Sequence, residues 1–264
     1  ADSQLGSLGG GNHFCEVGLV EDYFEGSTAR EWGLKPDKVV LFVHSGSLSI
    51  GAAVGNHYSN KPQTLLDTDS NGTDFISAMS NATNFAFANR LCLSLMAKKA
   101  LKQATGKDIR GRLVYDAPHN FIEKTNGLWR HRKGSTPAVG SSYEYPSGHP
   151  VLVPGSMGTR SYVLAGEGSE LASESVAHGA GRKLSRGKAS NTDFDFSELN
   201  VVTPISSREV INQGRKDMVV EQEKRLREES PRAYKDIEAV VSAIEDARAA
   251  RRVASLRPLI TVKA

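Results

Sequence analysis

At 264 residues the chain is long enough to bury one substantial core, and 39% hydrophobic with 24% charged residues is the balance of an ordinary globular protein. A net charge of +3 excludes a global field that would hold a polyanion, so any nucleic-acid contact must be a local patch. No apolar run reaches bilayer-spanning length, and two cysteines, Cys15 and Cys92, exclude a disulfide framework; a cytoplasmic protein without a signal peptide is expected.

The chain opens Ala1-Asp-Ser-Gln4 with no methionine and reaches a dense motif by Gly6, which predicts the C-terminal part of a longer polypeptide. Gly9-Gly-Gly11 reads as a turn running into a strand over His13–Val17. Val39–His44 is a continuous apolar run, expected as a buried strand with a polar end, followed by a turn over Gly46–Gly51. Asp74–Thr105 carries helical spacing and stops at Gly106. A strand is expected over Arg112–Asp116, leading to Pro118-His119-Asn120. Gly134–Gly158 reads mostly as loop around a strand at Val151–Val153. Ser206–Arg252 is helical and charged, broken near Ser230-Pro231, and the dense Glu/Arg alternation of Glu221–Glu229 reads as a solvated face. Leu256–Val262 is a short final strand. No repeat or linker interrupts this pattern, so residues 1–264 are expected to form a single α+β domain.

Four histidines share one kind of setting. His13 follows the glycine turn, His44 and His119 end predicted strands, and His178 lies in His178-Gly-Ala-Gly181. Glycine lets backbone N–H groups approach an anion, and an imidazole there can bind a metal, move a proton or attack phosphorus. The same turn with a helix-capping histidine would need no chemistry. His57 and His149 sit in polar loops and are expected to be exposed. His131-Arg-Lys-Gly134 is either an exposed turn or a phosphate clamp through Arg132 and Lys133. With Arg160, Arg182, Lys183 and Arg186 it offers a local basic track for nucleic acid. Pro154-Gly-Ser-Met-Gly-Thr159 has the small residues of a phosphate-binding turn but lacks a Walker A ending.

Taken in order, these pieces resemble the RtcB family of RNA-splicing ligases over essentially the whole chain. Leu5–Glu16, His44-Ser-Gly-Ser47, Asn84–Arg90, Asp116-Ala-Pro-His-Asn120, His131–Gly134, Pro154–Thr159, His178–Arg182 and Leu256–Lys263 all have counterparts. The resemblance implies a manganese-dependent, GTP-consuming ligase that joins RNA 2′,3′-cyclic phosphate or 3′-phosphate ends to 5′-hydroxyl ends. It implies two Mn²⁺ ions held by His13, His44 and His119, and a nucleophilic His178 that carries GMP. Asn12, Glu16, Asn120, Ser156, Ser161, Tyr234 and Lys263 match guanylate contacts. Tyr234 would stack on guanine and Glu16 would accept from its N1 and N2 donors. The implied nucleotide site also includes His13, Phe14, Cys15, His119, Pro154, Gly155, Met157, Gly179, Ala180 and Gly181. For the fold, it implies mixed β-sheets in a central sandwich-like core ringed by helices.

Three departures stand out. The family's Asp-x-Gly-Cys-Gly region, which supplies an aspartate and a bridging cysteine to the metals, is absent. Cys15 shares a strand face with His13, but the family has no ligand there. Leu48 and Pro137 stand where arginines are usual. These suggest a divergent branch, with a non-catalytic RNA-binding remnant and a metal-dependent cyclic-phosphate hydrolase as the alternatives. An upstream segment or an activator protein would be its further partner.

Overall fold

The computed structural model describes residues 4–36, 38–60, 67–197, 199–202 and 214–264. A five-stranded sheet organises them, built from β1 (Phe14–Tyr23), β2 (Val39–His44), β6 (Pro150–Val153), β7 (Ser161–Gly166) and β9 (Ala250–Val262), in the order β2-β1-β9-β7-β6. Two ribbons flank it: β3 (Asn120–Thr125) with β4 (Leu128–Lys133), and β5 (Ser135–Pro137) with β8 (Ser175–Ala177). The expected α+β class holds. The sheets, expected to be mixed, are antiparallel at every pairing among the described strands.

Both faces of the sheet are covered, which is why β7 buries all of its residues. Tyr162 and Leu164 join Val151, Val153 and the helix α6 (Ile237–Asp246) on one face. Val163 and Ala165 join Phe14, Val20, Phe42 and Trp32 on the other. Irregularities between Val17 and Gly18 and between Val163 and Leu164 shift register locally. At Gly18 a Cβ would lie 2.8 Å from the Arg257 carbonyl, so the close strand approach there requires glycine.

The helices are α1 (Gly26–Glu31), α2 (Leu48–Ser59), α3 (Ser70–Thr105), α4 (Arg186–Ser190), α5 (Lys216–Glu228) and α6. Asp69 caps α3 by accepting from the Gly72 N–H, and Gly106 ends it in the left-handed conformation the sequence predicted. Its buried stripe, Ala82, Ala86, Asn89 and Leu93, is narrow, as befits a helix lying on a surface.

Several expectations need correction. Helix α2 begins at Leu48, inside the span read as a turn, because the Ser47 carbonyl accepts from both Ile50 and Gly51 N–H groups. Strand β2 is an edge strand and only partly buried. Residues 112–116 form no strand; Leu113 is 77% exposed and pairs with no strand among the described residues. The strand falls after His119 instead, where Asn126 (φ 52°) and Gly127 (φ 77°) close a tight hairpin between β3 and β4. Strand β9 starts at Ala250, well before Leu256. The first part of the helical run expected from Ser206 lies outside the described residues, and its remainder divides into α5, a 3-10 turn at Pro231–Ala233, and α6. Among the described residues no helix is long and apolar enough to cross a membrane.

Candidate active site

Gly134 links the two ribbons and ties the histidines together. Its N–H donates to the His119 carbonyl (2.7 Å) and to Asn120 Oδ1 (3.0 Å). Its carbonyl accepts from the His178 N–H (3.3 Å) and lies 2.7 Å from His178 Nδ1. A carbonyl can only accept, so Nδ1 carries a proton, and in the neutral tautomer this selects Nε2 is the lone-pair nitrogen. The His178 ring stacks on His119 with centroids 4.3 Å apart. His44, buried at the end of β2, brings its Nε2 to 3.2 Å from His119 Nε2.

Ring nitrogens of His44, His119 and His178 lie within 4.8 Å of one another. His13 stands just behind, its ring centroid 5.8 Å from that of His44. The tightest trio is therefore His44, His119 and His178, whereas the resemblance implied His13, His44 and His119 with His178 apart. At Gly9 (φ 84°) a Cβ would lie 2.5 Å from His13 Nδ1, so glycine there makes room for the ring.

Burial and the neighbouring imidazoles hold His44 well below the usual histidine range. Burial, with His178 and Arg90 adding, pushes His119 down to about 4. Burial, Lys263 and Arg186 lower His13. These three rings are thus neutral near neutral pH and present lone pairs. The buried Nδ1 atoms of His13 and His119 have no hydrogen-bond partner among the described residues. Converging neutral imidazoles with lone pairs to offer fit a divalent transition-metal cation.

Beside the trio opens a cleft of about 220 Å³. Asn12, Phe14, Glu16, Pro154, Gly155, Ser156, Met157, Ser161, His178, Gly179, Ala180, Gly181, Tyr234 and Lys263 line it together. Cys15 does not: Phe14 and Glu16 on either side of it reach the cleft, so strand alternation turns Cys15 to the opposite face. Burial pushes its thiol up to about 11. Asn120 is also outside, its side chain spent on Gly134. Burial raises the Glu16 carboxyl, which accepts from Thr261 Oγ1 at 2.6 Å.

The two glycine turns were expected to offer amides to an anion. Three of their amides are taken within the protein: Ala180 N–H donates to the Pro154 carbonyl (3.0 Å), Gly155 N–H to Ser161 Oγ (3.2 Å) and Ser156 N–H to Thr159 Oγ1 (2.6 Å). Pre-organisation of the cleft wall is what these bonds provide.

Glu229 and Thr261, which no sequence motif singled out, also line the cleft, together with Arg182 and Arg186 from the expected basic track. Glu229, assigned to a solvated face, is 6% exposed. It accepts from Tyr234 Oη and pairs with Arg182 Nη1 (3.2 Å) and Lys263 Nζ (3.5 Å). Helix α5 ends at Glu228, so Glu229 no longer follows the helical phase of the residues before it. The Ser230-Pro231 break just after it was the available signal.

Other candidates take different places. Arg132, proposed as a phosphate clamp, is 2% exposed and bound to Glu123 and Ser175 Oγ. Arg160 pairs with Glu21 and Asp22. His149 is half-buried against Tyr115 Oη, contrary to the exposed loop expected. His57, His131, Lys133 and Lys183 are exposed. Leu48 backs the glycine loop at Gly9, and Pro137 is buried in β5.

Residues 1–264 match the family model described as tRNA-splicing ligase RtcB. The chain is 33% identical to the tRNA-splicing ligase RtcB of Methanococcus maripaludis, covering 98% of this chain and 60% of that protein. It is 32% identical to the RNA-splicing ligase RtcB homolog 1 of Entamoeba histolytica, over 99% of this chain and 54% of that protein. It is 33% identical to the RNA-splicing ligase RtcB of Mycobacterium bovis, over 98% and 65%. The chain thus spans a little over half the length of these relatives. With a match that runs from the first residue to the last, this chain belongs to the RtcB family of RNA-splicing ligases.

Proposed function

We propose that this chain carries the nucleotidyl-transfer centre of a ligase joining RNA 3′-phosphate or 2′,3′-cyclic phosphate ends to 5′-hydroxyl ends. One observation carries the reading: His178, its Nδ1–H held by the Gly134 carbonyl at 2.7 Å, stands on the wall of the cleft that Glu16, Tyr234 and Lys263 also line. Fixing the tautomer aims a lone pair from Nε2 and keeps the proton out of the reaction. In this reading Nε2 forms a bond to the α-phosphorus of substrate GTP while the bond to the bridging oxygen breaks and pyrophosphate leaves. A cyclic end is first opened by water to a 3′-phosphate and a free 2′-hydroxyl; the RNA 3′-phosphate then displaces His178 from the α-phosphorus, restoring its lone pair. The RNA 5′-hydroxyl finally attacks the activated 3′-phosphate, and GMP departs.

Tyr234 supplies a ring for the base to stack on, and Glu16 an acceptor for its N–H donors. Asn12, Ser156, Ser161 and Lys263 complete the polar wall. His13, His44 and His119 would hold the divalent cations, two Mn²⁺ by the resemblance, which when bound offset phosphate charge and act as Lewis acids. Residues 1–264 act as one catalytic unit in this reading. The cytoplasm is its compartment, in keeping with the free thiols of Cys15 and Cys92. Splicing and repair of RNA are both served by the same end-joining.

The closeness of His178 to His44 and His119 favours a second reading. If His178 is a third metal ligand, the site suits a cyclic-phosphate hydrolase. Incubation of the full-length protein with Mn²⁺ and GTP labelled at the α-phosphate separates the two. The ligase gives an acid-labile, alkali-stable protein adduct that His178→Ala abolishes. Label retained by His178→Ala, or phosphate release from cyclic ends without any adduct, overturns the ligase assignment.

A further inference from the structure

We propose that the outward face of the β3–β4 ribbon is the track along which an unpaired RNA end reaches the cleft; the inference rests on the ligase reading above. Register assigns the faces. Asn120 pairs with Lys133, Ile122 with His131 and Lys124 with Trp129, so strand alternation puts these six on one face. The other face carries Phe121, Glu123, Arg130 and Arg132 and is tied to the body: Arg132 Nε donates to Ser175 Oγ (2.9 Å) and Arg130 pairs with Glu174 (2.9 Å). Glu123 is the sole acidic residue of Asn120–Lys133, and it lies on that inner face.

The outer face is therefore cationic and aromatic. Asn120, Lys124, Trp129, His131 and Lys133 are all exposed. Trp129 is held edge-on, its Nε1–H donating to Asp67 Oδ2 (2.6 Å), which also accepts from Lys124 Nζ (2.9 Å). Lys124 Nζ stands 5.2 Å from the ring centroid. The ring is thus oriented in advance yet 41% exposed. An aromatic platform beside cations is what unpaired nucleotides recognise, through base stacking and phosphate pairing, whereas a duplex hides its base faces.

Position and spacing point to the same partner. On β4, Trp129, His131 and Lys133 succeed one another at roughly 6.8 Å, two strand residues per step and comparable to one nucleotide of an extended strand. The row ends at Lys133, next to the glycine whose carbonyl holds His178 Nδ1. An RNA strand lying along it arrives with its end at the nucleophile.

Tryptophan emission provides the test: of this chain's two tryptophans Trp32 is 7% exposed in the core, and the difference between wild type and Trp129→Ala isolates the Trp129 signal from every other tryptophan of the full-length protein. The full-length protein is titrated at low salt with a short unpaired oligoribonucleotide ending in a 3′-phosphate, and with a duplex of the same sequence. Expected are quenching by the single strand, loss of that quenching in Trp129→Ala, and an affinity about tenfold weaker in the variant. GTP-dependent labelling of the variant should equal wild type, since Trp129 is not among the residues lining the nucleotide cleft. Unchanged affinity in Trp129→Ala, or a duplex that binds and quenches as well as the single strand, overturns the track. If wild type binds RNA this way yet takes no label from GTP, the track stands and the ligase reading fails.

Discussion

Replacing Glu229 by glutamine tests how the cleft is held open in its binding shape. The substitution keeps the side chain's size and an acceptor for Tyr234 Oη, and removes only the charge. In the folded protein that charge is buried and faces Arg182 at 3.2 Å and Lys263 at 3.5 Å. Arg186, at 3.9 Å, is largely solvated and contributes little. Removing one partner of a buried ion pair costs about 3–5 kcal/mol, because the remaining cations are left uncompensated. The retained hydrogen bonds put Glu229→Gln at the low end, about 3 kcal/mol. Unfolding entropy of roughly 2.1 cal/mol/K per residue turns that into a fall in Tm of about 5 °C for a chain of this length. Thermal unfolding followed by circular dichroism, with a parallel measurement of GTP binding, reads both consequences. A variant that melts within about 1 °C of wild type and binds GTP unchanged would refute the role given to Glu229.

Two further outcomes are expected. The lowered pKa of His119, about 4 against an ordinary 6.5, means that its unfolded form binds a proton the folded form refuses. Stability of the metal-free protein should therefore fall as pH drops from about 6.5 towards 4, by something on the order of 3 kcal/mol from this group, with His44 and His13 adding in the same direction. Urea midpoints that stay flat across that window would contradict the neutral cluster, and added Mn²⁺ should steepen the loss. Asn89→Ala should destabilise by about 3 kcal/mol, because Asn89 Nδ2 donates to Ser7, Ser45 and Gly46 while Oδ1 accepts from the Gly6 N–H, all inside the protein. A urea midpoint shift worth less than about 1 kcal/mol would show that the loops carrying His13 and His44 hold together without it.

Local signals were legible wherever chain-local physics decides the structure. Gly106 ended α3 because only a residue at ease with φ of 69° fits there. Val39–His44 formed a strand with the predicted limits. Burial was less legible, since it depends on neighbours: Val39–His44 reads as a core strand, yet sits at the sheet edge. The Asn126-Gly127 hairpin was written in the sequence and overlooked beside the apolar run Leu113-Val114, which pairs with no strand among the described residues. Among site residues, histidines on glycine turns announce themselves. Glu229 and Thr261 do not, because their place in the cleft arises from pairing with Lys263 and Glu16 respectively, distant along the chain.

Strand β9 lies at the centre of the sheet, between β1 and β7, and its end brings Thr261 within 2.6 Å of Glu16, 245 residues earlier. Contacts of such sequence separation form late and slowly, since a long loop must close before any of them is rewarded. During synthesis, the β1–β2 and β6–β7 pairs must wait without the strand that joins them, the β1 and β7 edges open to misassembly. The cleft wall, with Thr261 in β9 and Lys263 just past its end, is complete only once β9 inserts. A chain made only as far as His178 thus has its four clustered histidines without the strand that finishes the wall beside them.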